Sequence, residues 1–477
     1  SNTGTYKGFQ SAEFSSPEFA RSMPYKPSFQ EVQTRLFGMF ARLNYSYQDI
    51  YLLDASLRID GSSEFGSDKR FAPFFSGGLG LNIHKYSFME KYGFINHLKV
   101  RGSFGQTGKV NFAPYAAVPT HEIDIDEWYI SGPASSLMTT RGNRDLKWEK
   151  TNKFDVGFEL GVLRNLLYLE FSWYNEITNG LITDVTLPSS TGFRTYKSNM
   201  GKVENKGFEI QFRSDLLSTA DWYVAVFGNL AHNTNKIKKI SDALKAYNDA
   251  VNEYYNQEIE SLWDKDNPNL NRVMTKYEEG QSLSAKYGLK SLGIDPANGQ
   301  ELYVYRDGTV SYDWIATEMR NIGDEMPWGT GSFGVNLRWK NITFSTSFLY
   351  EFGGDFYNET LIDKVENAKI EEYNVDRRAM SERWKKFGDV VMYKDIKDNT
   401  QTTDPTSRFM QRNNVLSWNS MTIGYELNRE MLKRIGIENI RIEVGTNDLW
   451  RLSTVKAERG LSYPYANSVN FSVNVRF

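Results

Sequence analysis

Along much of this chain apolar and polar residues alternate one by one, the pattern of a strand whose successive side chains face opposite sides. The last segment shows it most cleanly, with Val469, Phe471, Val473, Val475 and Phe477 alternating with Asn470, Ser472, Asn474 and Arg476. Similar stripes run back through Ile440 to Val444, Met421 to Leu427, Ile342 to Tyr350, Phe333 to Trp339, Trp222 to Leu230, Phe208 to Phe212, Leu167 to Trp173 and Phe154 to Leu160. Leu98 to Phe104, Phe75 to Ile83, Tyr51 to Ile59 and Phe37 to Tyr47 complete a set of about thirteen predicted strands.

None of the stripes contains a charge. The intervening positions carry Arg42, Asp54, Arg58, Lys99, Arg101, Asp155, Glu159, Glu170, Glu209, Arg213, Arg338, Glu351, Glu426, Arg441 and Glu443. An Arg or Lys facing lipid at mid-bilayer costs about 2–4 kcal/mol, so this split predicts which face meets hydrocarbon. A soluble sandwich alternates too, with its apolar face buried.

The connections separate the two architectures. Short ones are expected at Gln48 to Ile50, His84 to Asn96, Val162 to Asn165, Asp215 to Asp221, Lys340-Asn341 and Asn428 to Asn439. Long ones fill every other gap: Asp60 to Phe74, Thr107 to Asn152, Glu176 to Asn205, Asn233 to Ser332, Gly353 to Ser417 and Arg451 to Ser468. Tight periplasmic turns alternating with long external loops are the layout of an outer-membrane barrel, and loops this long are rare in compact soluble domains. Lys340-Asn341 suits a two-residue hairpin through the tolerance of Asn for positive φ. Within the long loops, Ser241 to Leu262 reads as helix-like and Asp295-Pro296-Ala297-Asn298-Gly299 as the turn of a hairpin.

The expected fold is therefore all-β: a transmembrane antiparallel β-barrel in which residues 1–477 form part of a single barrel domain with long extracellular loops. A bacterial single-chain barrel takes an even number of strands, and an edge left open in lipid strands its backbone groups. Further strands are thus expected from another chain or segment, with a cut in an exposed loop near Ser1 as one route.

Composition narrows the class. With no cysteine there is no disulfide framework or thiolate metal site. Lys+Arg of 56 against Asp+Glu of 59, without a basic block, argues against nucleic acid. A mean hydropathy of -0.54, with no window near the roughly 18 apolar residues of a membrane helix, excludes a helical membrane protein. The 28 Tyr, 30 Phe and 11 Trp suit a barrel whose aromatics gather at both membrane interfaces.

Little in the chain suggests chemistry. His84, His97, His121 and His232 fall in separate turns and loops without metal-ligand or triad spacing, and no metal or cofactor is expected. Asp264, Asp266 and Asn267 carry calcium-type oxygens but lack the spaced Gly and terminal Glu of a calcium loop. The acidic run His121 to Glu127 holds paired carboxylates, as glycoside hydrolysis would use, yet shows no buried partner; a solvated or ligand-contacting loop is the plainer reading. Trp128, Tyr129, Tyr303, Tyr305, Trp314 and Trp328 are candidate ligand-stacking aromatics, the alternative being that they pack loops together or against a lid. Arg58, Lys99, Arg101, Arg213 and Arg338 are expected in the lumen, pairing with carboxylates or a plug.

Several stretches resemble the SusC/RagA-type branch of TonB-dependent outer-membrane transporters. They are Tyr51 to Ser63 with Phe65, Leu98 to Gly108, Leu146-Lys147-Trp148-Glu149-Lys150-Thr151, Asn199 to Glu209, and Gly293-Ile294-Asp295-Pro296. The resemblance implies a 22-stranded barrel around a plug, powered by the TonB complex, covered by a SusD-like surface lipoprotein and open to pairing as a dimer of transporter–lipoprotein units. It places the plug and TonB-binding segment in an N-terminal portion outside this chain. It also makes Phe477 the terminal aromatic read by the outer-membrane assembly machinery. The expected function is import of an oligosaccharide or oligopeptide across the outer membrane without bond breakage, the alternatives being a passive porin or a surface adhesin built as a soluble sandwich.

Overall fold

A computed structural model of the chain describes residues 2–3, 21–22, 28–29, 33–65, 70–109, 119–129, 132–140, 142–143, 146–164, 166–186, 195–199, 201–240, 245–246, 248–249, 276–370, 372, 374–398, 403–427, 432, 436–456 and 467–476. Thirteen strands form one antiparallel sheet in which every strand pairs with its sequence neighbours. They are β1 (Leu36–Tyr47), β2 (Tyr51–Ser62), β3 (Phe71–Asn82), β4 (Ile95–Lys109), β5 (Glu149–Val162), β6 (Leu167–Asn179) and β7 (Lys202–Ser218). The series continues with β8 (Trp222–Lys239), β9 (Gly329–Trp339), β10 (Ile342–Tyr357), β11 (Met410–Glu426), β12 (Asn439–Ser453) and β13 (Ser468–Arg476).

Each predicted stripe falls on one of these strands, with Ile83 and Leu427 one residue past the strand ends and Phe477 outside the described residues. The strands run further than the stripes on the long-loop side: β8 continues to Lys239 and β11 begins at Met410, so parts of the expected loops are wall. The stripes stop earlier because the lipid-facing apolar band is only about 25 Å tall, whereas the paired backbone continues beyond it.

The short ends turn tightly. Gln48 and Asp49 both take φ +54, and Leu163 and Arg164 take +52 and +57. At the β9–β10 turn the positive φ, +50, falls on Lys340. Asn341 serves differently from the expectation: its side-chain amide donates to the Glu426 carbonyl at 2.8 Å and ties the hairpin to β11.

Register makes one face continuously apolar. Met39, Leu53, Leu57, Leu79, Val100, Phe104, Phe154, Val156, Phe333, Ile423, Val444 and Val473 are exposed, with no protein layer over them. A sandwich would bury these residues against a second sheet; here they point outward as a hydrocarbon-facing band does. Aromatics border it at both ends. Near the short turns Tyr51 contacts Tyr47 and Tyr86, and Trp222 stacks on Trp339 at 5.7 Å. Near the long loops His232 and Phe352 flank Trp328 at 4.7 and 5.4 Å.

The buried cores lie in the long loops instead of between sheets. One gathers Tyr357, Leu361, Ile362, Val365, Ala379, Tyr393 and Phe409 from the β10–β11 connection; another gathers Leu289, Tyr303, Ala316 and Met319 from the β8–β9 connection. The predicted hairpin is present as paired strands Lys290–Ile294 and Glu301–Val304. Its turn is closed by the Asp295 carboxylate accepting from the Ala297 amide at 2.8 Å, with Gly299 at φ +79. Of the helix-like stretch 241–262, residues 245–246 and 248–249 are helical and the rest lies outside the described residues.

Candidate functional site

The face opposite the apolar stripe is polar across the sheet. Cross-strand neighbours Lys99 and Glu159, Ser103 and Asp155, Lys153 and Glu176, Asn205 and Asn235, and Arg441 and Glu426 all share it. Two recesses of about 580 and 690 Å³ open on this face, the first beside Arg58 and Asp60, the second among Arg101, Asp155, Tyr174, Glu176 and Glu209.

The cations predicted for this face are on it, and most are neutralised. Arg58 bonds Asp60 at 2.6 Å, Lys99 bonds Glu159 at 3.1 Å, and Arg213 reaches Asp215 at 3.2 Å and the Tyr223 hydroxyl at 2.7 Å. Arg101 donates to Glu170 at 2.9 Å and the Ser172 hydroxyl at 2.7 Å, with Asp155 at 3.6 Å. Arg338 stands opposite Tyr223 and Thr343, and no ion pair reaches it among the described residues. Half-exposed pairs of this kind each contribute little, but as a network they hold the charges in fixed positions.

The histidines are not all apart as expected. His84 and His97 approach to 4.7 Å between ring centroids, and His97 Nε2 lies 3.2 Å from Glu159. The spacing along the chain hid this, because β3 and β4 bring their turn ends together. Among the described residues no three His, Asp or Glu side chains converge as metal ligands.

Above the wall the two longest loops form one assembly around a buried ion cluster. Arg408, 5% exposed at its side chain, bonds Glu301 at 2.6 Å and also Glu366, which is fully buried. The Thr406 hydroxyl donates to Glu301 and the Thr403 hydroxyl to Glu366, at 2.6 and 2.5 Å. Burial alone would raise the Glu366 carboxyl, yet the Arg408 guanidinium holds it below its usual range and is itself pushed higher. Asp404 beside this cluster has no such cation in contact among the described residues, and burial pushes it up to about 7 against the pull of Lys394. Sequence reading missed the cluster because no motif joins its members; Thr406 and Glu301, for one pair, stand 105 residues apart.

The aromatic candidates divide. Tyr303 is 8% exposed inside the loop core, so its faces are occupied; Tyr305 and Trp314 pack against the same core, with the Trp314 indole donating to the Pro405 carbonyl at 3.0 Å. Trp328 belongs to the outward aromatic border, beside His232. Trp128 and Tyr129 end the first strand of a hairpin, Thr120–Tyr129 with Gly132–Thr140; their side chains, like Asp264, Asp266, Asn267 and Phe477, lie outside the described residues.

Residues from three of the family-like stretches meet at the long-loop end of the wall. Phe65 stacks on Trp148 at 4.5 Å, and Leu146, Phe65 and Ile182 form a small core. The Trp148 indole donates to the Arg70 carbonyl at 3.1 Å, and Asn199 and Lys147 exchange hydrogen bonds of 2.9 and 3.0 Å. A Cβ on Gly201 would lie 1.6 Å from the Lys239 carbonyl, so that position accepts glycine alone.

The family model described as TonB dependent receptor-like, beta-barrel matches residues 1–340. The chain is 26% identical to TonB-dependent receptor P3 of Formosa agariphila over 89% of its length and 42% of that protein's. It is 27% identical to TonB-dependent receptor SusC of Bacteroides thetaiotaomicron over 69% of its length and 32% of SusC. It thus spans less than half the length of these relatives. The RagAB peptide transporter superposes with a TM-score of 0.78 at 21% identity, over 94% of this chain and 48% of that one, which is a likeness of fold. A meander uncharged on one face and polar on the other, with the matching family model over most of its length, makes this chain a member of the TonB-dependent receptor β-barrel family of the outer membrane.

Proposed function

We propose that the chain is the C-terminal wall of a TonB-dependent importer for a large polar nutrient, an oligosaccharide or an oligopeptide. The observation that carries this is the polar, charge-bearing face of the thirteen-stranded sheet, overhung by loops folded around their own cores. A path lined by fixed, mutually paired charges passes hydrated solutes without retaining them tightly. Residues 1–477 act as one barrel domain with an N-terminal portion that supplies the remaining strands of a 22-stranded barrel, the plug and the TonB contact. A SusD-like lipoprotein covers the outer loops, and two such units pair as a dimer. The recess beside Arg101 and Glu209 lies on the transport path. Arg338, which has no ion pair among the described residues, offers a cation to cargo or plug. Among the stacking candidates, Tyr305, Trp314, Trp128 and Tyr129 keep a place near cargo through the loops that carry them.

The test is uptake by cells expressing the whole transporter, supplied with labelled oligosaccharides and oligopeptides. Import that stops when TonB is deleted supports the proposal. Import that persists without TonB, at rates proportional to concentration, overturns it in favour of a passive pore. The complex isolated in detergent is expected to contain the plug-bearing portion and a lipoprotein.

A further inference from the structure

The outward face changes character at its long-loop end. Below the aromatic border it is uncharged; above it, on neighbouring strands, the same parity of positions carries lysines. Lys150 lies on β5, Lys202 and Lys206 on β7, and Lys236 on β8, and register sets Lys202 directly opposite Lys239. Phe208 and Leu230 mark which parity faces out, and Lys206, Lys202 and Lys236 share it. Among the described residues of these strand ends the one carboxylate on that side is Glu204, and it is taken up by Lys238 at 2.7 Å. The carboxylates of the other face, such as Glu176 with Lys153, are turned away.

The height of the belt is informative. Lys206 to Lys202 lie two to six residues beyond Phe208, which at about 3.3 Å per residue and the usual strand tilt is about 5–15 Å above the aromatic border. That is the level of lipid headgroups. A charge in this position is not needed to keep the barrel soluble, and Lys202, Lys206, Lys236, Lys238 and Lys239 share the single carboxylate of Glu204 on this side, which leaves a net positive charge for an anion to offset. Beside the belt, Lys147, Lys150 and Lys239 with Phe71, Trp148 and Ile240 line a cavity of about 590 Å³ whose lining is mainly apolar. Phe71 contacts Phe37 of the outward stripe at 6.1 Å, so the cavity is continuous with the surface that faces the acyl chains.

We propose that this belt and cavity bind a phosphate-bearing lipid of the outer leaflet, its phosphates among the lysines and part of an acyl chain against Phe71 and Trp148. Lysine is well matched to such a ligand, because its stem lies along apolar surface while its ammonium meets a membrane anion as a mobile point charge. The lipid would fix the depth and rotation of the wall beneath the outer loops.

The whole transporter, purified in mild detergent, is titrated with phosphorylated outer-leaflet glycolipid, and bound lipid is counted by native mass spectrometry. Substituting Lys150, Lys202, Lys206, Lys236 and Lys239 together by Gln is expected to weaken binding at least tenfold, and replacing the same five by Arg to preserve it. Wild-type binding is expected to fall steeply with salt, and dephosphorylated lipid to bind like the Gln variant. Gel mobility before and after heating shows whether each variant is a folded barrel. Equal binding by a folded Gln variant, salt-insensitive binding by the wild type, or displacement of the lipid by an equal concentration of inorganic phosphate would each overturn the proposal.

Discussion

Arg408 satisfies two carboxylates from two different loops, and that makes it the residue on which the outer assembly depends. Removing one member of a buried ion cluster leaves the others uncompensated, at a cost of about 3–5 kcal/mol. Arg408→Met is therefore expected to release residues 276–328 and 358–409 to proteolysis while the wall stays resistant; equal protease resistance of both loops would refute this reading. Asp404 predicts a pH effect of definite sign. The folded loops hold its proton to about pH 7, whereas the unfolded chain releases it near 3.8. Folding thus takes up a proton between those values, and the assembly loosens as pH rises through that window and levels off above it. Asp404→Asn, which mimics the neutral acid, is expected to flatten the dependence, read as loop hydrogen exchange from about pH 4 to 8. A steeper dependence in the variant would sink the assignment.

At the scale of elements, turns and close approaches decide what can be replaced. Lys340 at φ +50 bears the left-handed strain of a two-residue turn, and Asn accepts that conformation more readily. Lys340→Asn is expected to stabilise the β9–β10 hairpin by a few tenths to about 1 kcal/mol, measured as a shifted unfolding midpoint. The rim offers the opposite case. Trp148 stacks on Phe65 and meets Phe74 edge-on at 5.7 Å, so Trp148→Ala should open a cavity worth about 3–5 kcal/mol at the long-loop ends of β3 and β5. Hydrogen exchange is expected to rise there and not at the short turns. The motifs around Phe65, Trp148 and Asn199 were visible as words in the sequence. That they are one small core was not, because strands far apart along the chain had to be laid side by side before the rings could meet.

For the whole molecule the controlling quantity is the sign of the environment on each face. Val473 and Ser472 are neighbours on β13, one in the exposed apolar stripe and one on the polar face opposite Glu443. Val473→Arg is expected to cost about 2–4 kcal/mol on insertion into vesicles and Ser472→Arg close to nothing. If both substitutions cost the same in a folding titration with lipid, the two-faced wall is wrong.

Period-two alternation located the strands and separated an uncharged face from a charge-bearing one, because those depend on local geometry and on the cost of a charge in hydrocarbon. The alternation of short and long connections pointed to a barrel over a sandwich in the same way. Tertiary structure alone decided that Tyr303 is buried, that Trp328 borders the membrane, that His84 meets His97, and that Arg408 binds Glu301 and Glu366. Each of these depends on contacts between segments distant in the chain, and such contacts leave no period in a sequence. They arise where loops must bury their own polar groups, and the partner that satisfies each group is selected by three-dimensional fit.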